Sequence, residues 1–487
     1  MNDKIKGLLI GFAALPLAVG CGADANEQLV SPAAPDTMDI ADEPSATPTP
    51  TDSGSAESVR VVTSTPVDVS APFGTSVEEP DYVPVQWLVP WDDGFLAAGL
   101  RYPGQPLPDR LPPEVAELFP PEVTALFPDG LPPTQQEAID ILNEAGLLDV
   151  VMDILNEHPD AMDAVRSEPF PDPEFVAAWS SDGATWAPTE IALPDGLGIV
   201  SLVTVSGDRL TLAGGVQPTE GGDPWIMTVA STTDTENTTD TENWNTARIR
   251  LEGTGVTSNP DAAGTTGTAQ TWASPIAVAA DDEHWVMRVM IADDTPMSEP
   301  RAELWSGAWG GAPMMDEADQ TSWILQSTSD GFLDLGEVVR YSPDGHTWTE
   351  VPGAVPEVGY QIAAPFGDGV LAITGTPGER PFESSIVALD ATGNAMAEVE
   401  IPDLGDRFMA WGSASGPAFV VERDAVGTMQ PDRSLIATTD GETWLVQELD
   451  ELPMPTLVAI NGTTVLVGAF AWEAGGADAW QRFEMTG

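Results

Sequence analysis

Lysine is almost missing from this chain, and the charge that results excludes one class of partner. The two lysines, Lys4 and Lys6, stand within the first ten of 487 residues. After Cys21 the chain has 15 arginines and 77 acidic residues, which gives a net charge of −62 (15 minus 77). A nucleic-acid-binding face must be basic to neutralise phosphates, and an acidic surface repels them. We therefore exclude a nucleic-acid partner and attribute the acidity to a salty medium or to a biased genome, with a dedicated cation-binding role as the alternative.

Cysteine occurs once, at Cys21, so no disulfide can form within the chain. Lys4 and Lys6 precede an apolar run over 7–19 that is too short for a stable span, and "LAVGC" at 17–21 follows. This segment resembles the signal peptide and lipobox of bacterial lipoproteins. The resemblance implies that residues 1–21 are a signal peptide, that Cys21 is lipidated, and that the mature chain is extracytoplasmic and lipid-anchored to the bacterial cell envelope. An ordinary secretory signal peptide is the alternative.

Long apolar runs are absent from the remainder of the sequence. No other stretch approaches the run of about 18 apolar residues that a membrane helix needs, so we expect membrane contact only through the N-terminal lipid. Residues 22–57 are rich in Ala, Pro, Thr, Ser and acids, as in "PSATPTPTDSGSAES". Such a composition cannot bury enough apolar surface to offset chain entropy. We predict a disordered acidic tether over 22–57 and a folded region over 58–487.

A short string is repeated along the folded region. It is "SSDGATW" at 180–186, "SPDGHTW" at 342–348 and "TTDGETW" at 438–444. A worn copy at 238–244 keeps Asp240 and Trp244, and a fainter one lies at 390–394. Asp-Gly is a strong hairpin signal because Gly tolerates the positive φ of tight turns, and Asp and Ser side chains can bond to backbone within the turn. We therefore interpret each copy, called a box below, as a structural turn.

Six β-rich runs that follow a polar turn recur out of phase with the boxes. They are "DDGFLAAG" (92–99), "GDRLTLAGG" (207–215), "DEHWVMRVM" (282–290), "GDGVLAITG" (367–375), "SGPAFVVE" (415–422) and "NGTTVLVG" (461–468). A unit of about 45–50 residues with several short strands is typical of a propeller blade. The sequence predicts an all-β fold, a β-propeller of six blades, with five or seven as alternatives. Because the last unit is short, we expect a strand from 59–70 or 83–89 to complete it.

Two stretches interrupt the period of the repeats. Residues 104–170 include "AIDILNEAGLLDVVMDIL", whose apolar spacing predicts helices with a break at Gly146. Residues 292–335 contain Met and Trp and are expected to be an irregular insertion. Each insertion is either packing that covers a blade edge, or a lid or partner-binding surface. Candidate ligand contacts in the second insertion are Trp305, Trp309 and Trp323, with local core packing as the alternative.

The box resembles the Asp-box, or BNR repeat, of sialidases and many other β-propellers. The family form is Ser-x-Asp-x-Gly-x-Thr-Trp, whereas Asp and Gly are adjacent here. The resemblance implies a structural role, and a calcium loop is the alternative, although each box offers a single carboxylate. The residues that carry the resemblance are Ser180, Asp182, Gly183, Thr185, Trp186, Asp240, Trp244, Ser342, Asp344, Gly345, Thr347, Trp348, Asp440, Gly441, Thr443 and Trp444.

The resemblance to sialidases also implies a catalytic alternative. A sialidase clasps its substrate carboxylate with arginines and uses a Tyr–Glu nucleophile pair and an Asp acid. The chain has four tyrosines, Tyr82, Tyr102, Tyr341 and Tyr360, and arginines near strand ends at Arg209, Arg288, Arg340, Arg407 and Arg423. With so many acids, these arginines need no explanation beyond pairing with carboxylates. The three histidines, His158, His284 and His346, have no metal-ligand spacing. We therefore assign no catalytic and no metal-ligating residue.

These observations favour binding over chemistry. We expect a lipid-anchored β-propeller that acts as a non-catalytic binding or interaction scaffold, with a glycan or an envelope protein as partner. We expect no cofactor, with calcium as the alternative, and a monomer. A sialidase-like or other glycoside hydrolase is the alternative function.

Overall fold

Seven β-sheets follow one another along the chain in the computed structural model. Each contains a meander of antiparallel strands whose first strand lies innermost. The model describes residues 57–59, 63–69, 73, 83–101, 111, 113–128, 130–132, 135–158, 173–216, 224–234, 238–251, 256–258, 268–293, 300–316, 324–336, 338–352, 359–375, 384–399, 401, 404, 408–412, 414–423, 432–449, 452, 455–469 and 479–485. The signal peptide predicted over 1–21, the predicted lipidation site Cys21 and nearly all of the tether predicted over 22–57 lie outside the described residues.

The first four sheets, blades 1 to 4, lie between residues 85 and 350. Their strands are, for blade 1, β3 (Val85–Trp91), β4 (Gly94–Arg101), β5 (Glu174–Ser180) and β6 (Ala187–Thr189); for blade 2, β7 (Ile199–Ser206), β8 (Arg209–Val216), β9 (Trp225–Thr232) and β10 (Asn245–Leu251); for blade 3, β11 (Val256–Ser258), β12 (Thr268–Ala280), β13 (His284–Asp293), β14 (Arg301–Ala308) and β15 (Met314–Asp316); and for blade 4, β16 (Ile324–Thr328), β17 (Gly331–Leu335), β18 (Val339–Ser342) and β19 (Thr349–Glu350).

The last three sheets, blades 5 to 7, include two strands from the start of the chain. Their strands are, for blade 5, β20 (Gly359–Phe366), β21 (Gly369–Gly375), β22 (Ser384–Leu389) and β23 (Ala395–Val399); for blade 6, β24 (Phe408–Trp411), β25 (Ala418–Arg423), β26 (Arg433–Thr438) and β27 (Thr443–Glu448), with β1 (Glu57–Val59); and for blade 7, β28 (Pro455–Asn461), β29 (Thr464–Ala469) and β30 (Ala479–Glu484), with β2 (Thr63–Val67).

The predicted β-propeller is correct, but the prediction of six blades was wrong, because the structure has seven. The missed blade is blade 4, whose second strand lies in "SDGFLDLG" at 329–336. This run has the same form as "DDGFLAAG", but it lies in the stretch expected to be an irregular insertion over 292–335. That stretch contains β14 to β17. The strands of blade 4 are only two to five residues long and one carries a buried charge, Asp334, which hid their apolar pattern.

The second strand of each blade reads as a continuous apolar run because both of its faces are covered by neighbouring blades. In β21 every one of the seven residues is buried. Outer strands alternate instead, as in β10, where Ala247, Ile249 and Leu251 are buried between exposed residues. The apolar core falls into seven clusters, one at each junction between neighbouring blades. Burying one Leu or Phe side chain in such a cluster contributes about 1.5–3 kcal/mol.

The ring closes with strands from both ends of the described chain. Neighbouring blades contact one another in order, and β28 of blade 7 contacts both β25 of blade 6 and β3 of blade 1. As predicted, an N-terminal strand completes the last blade: β2 pairs antiparallel with β30, from Thr63 opposite Glu484 to Val67 opposite Trp480. The strand before it, β1, pairs in parallel with β27 and adds a fifth strand to blade 6.

The antiparallel meanders give the ring two different ends. At one, the turn end, short turns join the first strand to the second and the third strand to the fourth. At the other, the loop end, the chain passes from the second strand to the third and from one blade to the next. The turn end is built from tight reversals such as 92–93, 207–208 and 367–368.

The loop end carries additional secondary structure. Four helices lie between β4 and β5 in the part of this stretch that the structure describes: α1 (Pro113–Ala116), α2 (Pro121–Thr124), α3 (Gln135–Glu144) and α4 (Leu148–Glu157). Gly146 stands between α3 and α4 with a φ of +69°. On the same end β11 pairs with the first residues of the long strand β12, so that a hairpin extends blade 3 beyond its neighbours. Among the described residues, no helix is long and apolar enough to cross a membrane.

Candidate functional site

The boxes occupy equivalent places around the ring, in the turn from the third strand to the fourth. They follow β5 in blade 1, β9 in blade 2, β18 in blade 4 and β26 in blade 6. The fainter copy at 390–394 follows β22 in blade 5. All five turns therefore lie at the turn end, although the chain separates the first from the last by 258 residues (444 minus 186).

One carboxylate oxygen organises each complete box. Asp182 Oδ1 accepts the backbone N–H groups of Ala184 and Thr185 at 2.9 and 2.8 Å, and the Ser180 hydroxyl at 3.1 Å. The same pattern recurs in blade 4, where Asp344 accepts two N–H groups at 2.9 Å and the Ser342 hydroxyl at 3.1 Å. The carboxylate therefore caps the turn from within, as the Asp-Gly signal predicts.

The third complete box and the worn box show how the pattern varies. Asp440 Oδ1 accepts N–H groups of Glu442 and Thr443 at 2.9 and 2.7 Å, and its other oxygen accepts the Thr443 hydroxyl at 3.0 Å. In the worn box Asp240 accepts the Glu242 N–H at 3.0 Å and caps a single 3₁₀ turn, Thr241–Asn243. The oxygen atoms of these carboxylates therefore bond within their own turns.

These hydrogen bonds hold the carboxylates in their charged form. The N–H groups of Thr185 and Thr443 are the largest influences on Asp182 and Asp440, and they lower the pKa of both. At Asp344 burial is the largest single influence and would raise the pKa, but the N–H and hydroxyl donors together lower it. The pKa of Asp390 is lowered in the same way, against burial, by Asn394 and Thr392.

The box glycines are the points at which one blade touches the preceding one. Gly183, Gly345 and Gly441 have φ values of +69°, +73° and +74°, which side chains rarely adopt. A Cβ at Gly345 would lie 2.7 Å from Val286 of blade 3, and one at Gly183 would lie 2.9 Å from Leu466 of blade 7. Glycine is therefore required twice, for the turn and for the close approach between blades.

The indole rings of the boxes pack at the junctions between blades. Trp186, Trp244 and Trp444 are 7%, 6% and 0% exposed and belong to core clusters. Trp348 is partly exposed, and the Arg340 guanidinium lies 5.6 Å from its ring centroid. The structure therefore brings these four predicted box tryptophans to corresponding positions around the propeller.

A narrow cavity runs between the innermost strands, with a volume of about 110 Å³. Sites for drug-sized ligands are typically about 300–1,000 Å³. Its polar lining is neutral and includes Gln86, Gln326, Ser206 and Ser327, and the ring of Trp87 also lines it. Its described lining residues include no carboxylate and no arginine, and its volume lies below the usual range for such sites.

The arginines considered for a substrate clasp pair with carboxylates within the sheets. Arg288 of blade 3 donates to Asp334 of blade 4 at 2.9 Å, and both side chains are 1% exposed. Arg340 donates to the same carboxylate. Arg209 donates to Asp282 of the next blade, and Arg423 lies 3.9 Å from Glu448. Arg407 lies outside the described residues.

The buried group of Arg288, Asp334 and Arg340 was not predicted. A signal for it is present in the sequence, because charged residues stand inside two otherwise apolar strands, in "WVMRVM" and "GFLDL". Fully buried charges are rare unless they are paired. Two such strands from adjacent repeats predict an ion pair between blades.

The described tyrosines that were weighed as nucleophiles occupy structural positions. Tyr341 lies on the third strand of blade 4 and donates its hydroxyl to the Asp330 carbonyl at 2.7 Å. Burial first and Asp330 second raise the pKa of Tyr341. Tyr360 packs against the core between blades 4 and 5, and burial raises its pKa to about 12. Both phenols are therefore neutral near pH 7.

The tryptophans predicted as ligand contacts pack against the junction between blades 2 and 3. Trp305 and Trp309 are partly buried against that core cluster. Trp305 donates its indole N–H to Glu303 at 3.0 Å, and Trp309 donates to the Asp281 carbonyl at 3.0 Å. Trp323 lies outside the described residues. The contacts of the two described rings correspond to the packing alternative.

Two histidines that are distant in the sequence meet at the junction of blades 3 and 4. The rings of His284 and His346 are 6.2 Å apart in an edge-to-face arrangement, and His346 Nδ1 lies 2.7 Å from the Ser306 hydroxyl. Among the described residues, no group of three or more His, Cys, Asp or Glu side chains is placed to hold a metal ion. His158 lies at the end of α4, away from this pair in sequence.

The fold defines the class of protein as a seven-bladed β-propeller. No protein-family model and no curated protein matches this sequence. Among solved structures, the β-propeller domain of the Trilobed protease from Pyrococcus furiosus is 13% identical with a TM-score of 0.33, over 57% of this chain and 79% of that one. Trypanosoma rangeli sialidase is 10% identical with a TM-score of 0.29, over 62% of this chain and 56% of the sialidase. An α-L-arabinanase from Penicillium chrysogenum is 11% identical with a TM-score of 0.27, over 64% and 85%. Similarity at this level carries no inference about activity.

Proposed function

We propose that this protein is a lipid-anchored binding scaffold of the bacterial cell envelope that captures a glycan or an envelope protein with the loop end of its ring. The observation that carries the proposal is the difference between the two ends. The turn end consists of short reversals, and the carboxylates of its boxes bond to their own backbone. Among the described residues, the loop end adds four helices and a hairpin to the same sheets, and such additions to a rigid ring are where binding surfaces are usually found.

The bonding of the arginines supports a scaffold over a glycoside hydrolase. A clasp for a substrate carboxylate needs arginines whose donors point into a shared cavity. Arg209, Arg288 and Arg340 instead donate to Asp282 and Asp334, which lie on or next to the blades that carry them. These pairs join strands and neighbouring blades, so they contribute to the assembly of the ring.

The place at which the N-terminal segment joins the ring supports a surface tether. β1 and β2 lie on the outer edges of blades 6 and 7, and the predicted tether over 22–57 precedes them. An extended, like-charged tether would hold the ring away from an anionic membrane. The lipid on Cys21 would supply the only membrane contact.

Retention on envelope fractions tests the proposal. The full chain should bind isolated envelope material, and a variant with a short Gly/Ser turn in place of residues 104–170 should lose most of that binding while keeping its melting temperature. Turnover of a panel of fluorogenic glycosides, sialosides included, should stay at background. Measurable turnover of any of these glycosides by the full chain would overturn the scaffold in favour of a hydrolase.

A further inference from the structure

The region between β4 and β5 contains a repeat of its own. The pattern Pro-Pro-Glu-Val-x-x-Leu-Phe-Pro occurs at 112–120 and again at 120–128. In each copy the valine is buried, at 2% for Val115 and 3% for Val123. The Leu-Phe pair that follows is partly exposed, at 118–119 and at 126–127. Two short helical turns, α1 and α2, therefore present the same apolar pair in succession.

The two longer helices, α3 and α4, also combine buried with partly exposed apolar residues. α3 and α4 pack on each other and bury Leu142, Leu148 and Val151. On α4, Ile154 and Leu155 stay partly exposed, and Val150 is 39% exposed. The helical segment, defined here as residues 111–158, thus has a small interior and an apolar exterior.

This exterior is not used by the propeller among the residues that the structure describes. None of the seven core clusters includes a described residue of the helical segment. Neither packing between blades nor closure of the ring therefore accounts for its partly exposed leucine and phenylalanine side chains. Partly exposed apolar side chains that are grouped on one segment and not used by the core are typical of a site of interaction.

Charge specifies what would cover this surface. From residue 113 to residue 157 the chain has ten acidic residues and no Lys, Arg or His. Exposed acids, among them Glu117, Glu122, Asp149 and Asp153, stand beside the apolar positions. A second copy of this chain or an anionic lipid surface would be repelled by the same charges. A cationic partner would be attracted.

We propose that the helical segment is the docking surface for a basic amphipathic helix of a partner protein. The apolar face of such a helix would cover the Leu118–Phe119 and Leu126–Phe127 pairs, and its Lys and Arg side chains would lie beside the flanking carboxylates. The inference rests on the proposed function and names its partner by chemistry. It assigns a role to a segment that the propeller itself does not require.

Fluorescence anisotropy of a labelled model peptide tests the inference. The probe is a peptide of about five helical turns that consists of Lys and Leu at helical spacing. Two control peptides accompany it: one of the same composition in scrambled order, and one with Glu in place of Lys. The full chain should bind the amphipathic Lys/Leu peptide at least about tenfold more tightly than the scrambled peptide, and the Glu/Leu peptide should not bind.

Matched variants separate a docking surface from general attraction to an acidic protein. The quadruple variant Leu118→Ser, Phe119→Ser, Leu126→Ser, Phe127→Ser should weaken binding by roughly tenfold or more. Its control replaces exposed apolar residues of the blade edges, as Met314→Ser, Met315→Ser and Met396→Ser, and should change binding by less than about twofold.

A second pair of variants tests the charge. Glu117→Gln with Glu122→Gln should weaken binding and reduce its salt dependence, whereas Asp208→Asn with Asp368→Asn at the turn end removes the same charge and should have little effect. Tryptophan fluorescence checks folding in every variant, because residues 102–173 contain no Trp and the indoles report on the blades.

The outcomes distinguish this inference from the proposed function. Equal losses in the helical and control variants, or equal binding of the ordered and scrambled peptides, would mean general electrostatic attraction and would overturn the inference. If the peptide fails to bind while envelope retention still depends on residues 104–170, the scaffold stands with another partner. If neither binds, both proposals fail.

Discussion

At the turn end of the ring the chain reverses in short turns whose carboxylates accept their own backbone N–H groups, whereas towards the loop end it carries buried ion pairs, helices and a hairpin. Asp440 and Asp334 illustrate the contrast. Asp440 is exposed and bonds only within its box, while Asp334 is buried between Arg288 and Arg340. The difference teaches that the repeated, recognisable motif holds the blades together, and it is the basis for proposing that the loop end binds a partner.

The largest expected effect comes from the buried carboxylate. Asp334→Ala leaves Arg288 buried beside an apolar side chain, and we expect a loss of about 3–5 kcal/mol in the free energy of unfolding. Chemical denaturation followed by Trp fluorescence measures it. The control is Glu174→Ala, which breaks the exposed pair with Arg101 and should cost about 0–1 kcal/mol. Equal effects would mean that the buried group contributes no more than a surface pair.

The second-largest loss of stability is expected at the box glycines. Gly345→Val combines a positive φ with a Cβ only 2.7 Å from Val286, so we expect a loss of about 2–5 kcal/mol. Gly207→Val is the matched control, because its φ of +60° is similar and no atom lies within 4 Å of its Cβ. The control should lose only about 1–2 kcal/mol. A control as damaging as Gly345→Val would contradict the role of the box glycine as a contact between blades.

A smaller effect is expected from a box carboxylate. Asp440→Ala removes the acceptor of two backbone N–H groups and a hydroxyl, and it should cost about 1–2 kcal/mol. The exposed Asp368 in a neighbouring reversal is the control, and Asp368→Ala should stay within about 0.5 kcal/mol. Thermal unfolding of the two variants compares them directly.

Acid should destabilise the turn end, whereas neutral pH should not. The folded-state pKa of Asp182, Asp344, Asp390 and Asp440 lies below the unfolded value, so their contribution is present above that value and is lost as pH falls through the folded pKa. Between about pH 7 and pH 5 these groups should leave the melting temperature unchanged. Below about pH 4 their protonation should lower it. In Asp440→Asn the melting temperature should fall less steeply with acid. An unchanged fall would contradict the attribution of the acid sensitivity to this carboxylate.

The smallest effect on stability is expected at the loop end. Arg101 and Glu174 are cross-strand partners, so a short turn can join β4 to β5 directly. Replacing residues 102–173 by such a turn should shift the melting temperature of the ring by only a few degrees (about 2–4 °C). A collapse of the blades would show that the helical segment is part of the core.

The boxes and the second strands made the architecture predictable because each obeys a local rule. Asp-Gly with a nearby Trp marks a turn, and a strand covered on both faces reads as an apolar run. The closing strand β2 was predictable because a short last blade leaves an open edge. Blade 4 was missed because "SDGFLDLG" carries Asp334, whose partners lie on another blade and on the next strand. The meeting of His284 with His346 depends on which blades become neighbours, which no local pattern encodes.

The pairing of β2 with β30 sets an order of events for a newly made chain. The strand that closes the ring, β2, precedes every strand from β3 onwards, but its partner, Ala479–Glu484, follows all of β3 to β29. Blades can therefore form one by one during synthesis, yet blade 7 stays incomplete until Ala479–Glu484 has been made. A chain interrupted before Ala479 would keep an open strand edge on blade 7, and such an edge is a template for aggregation.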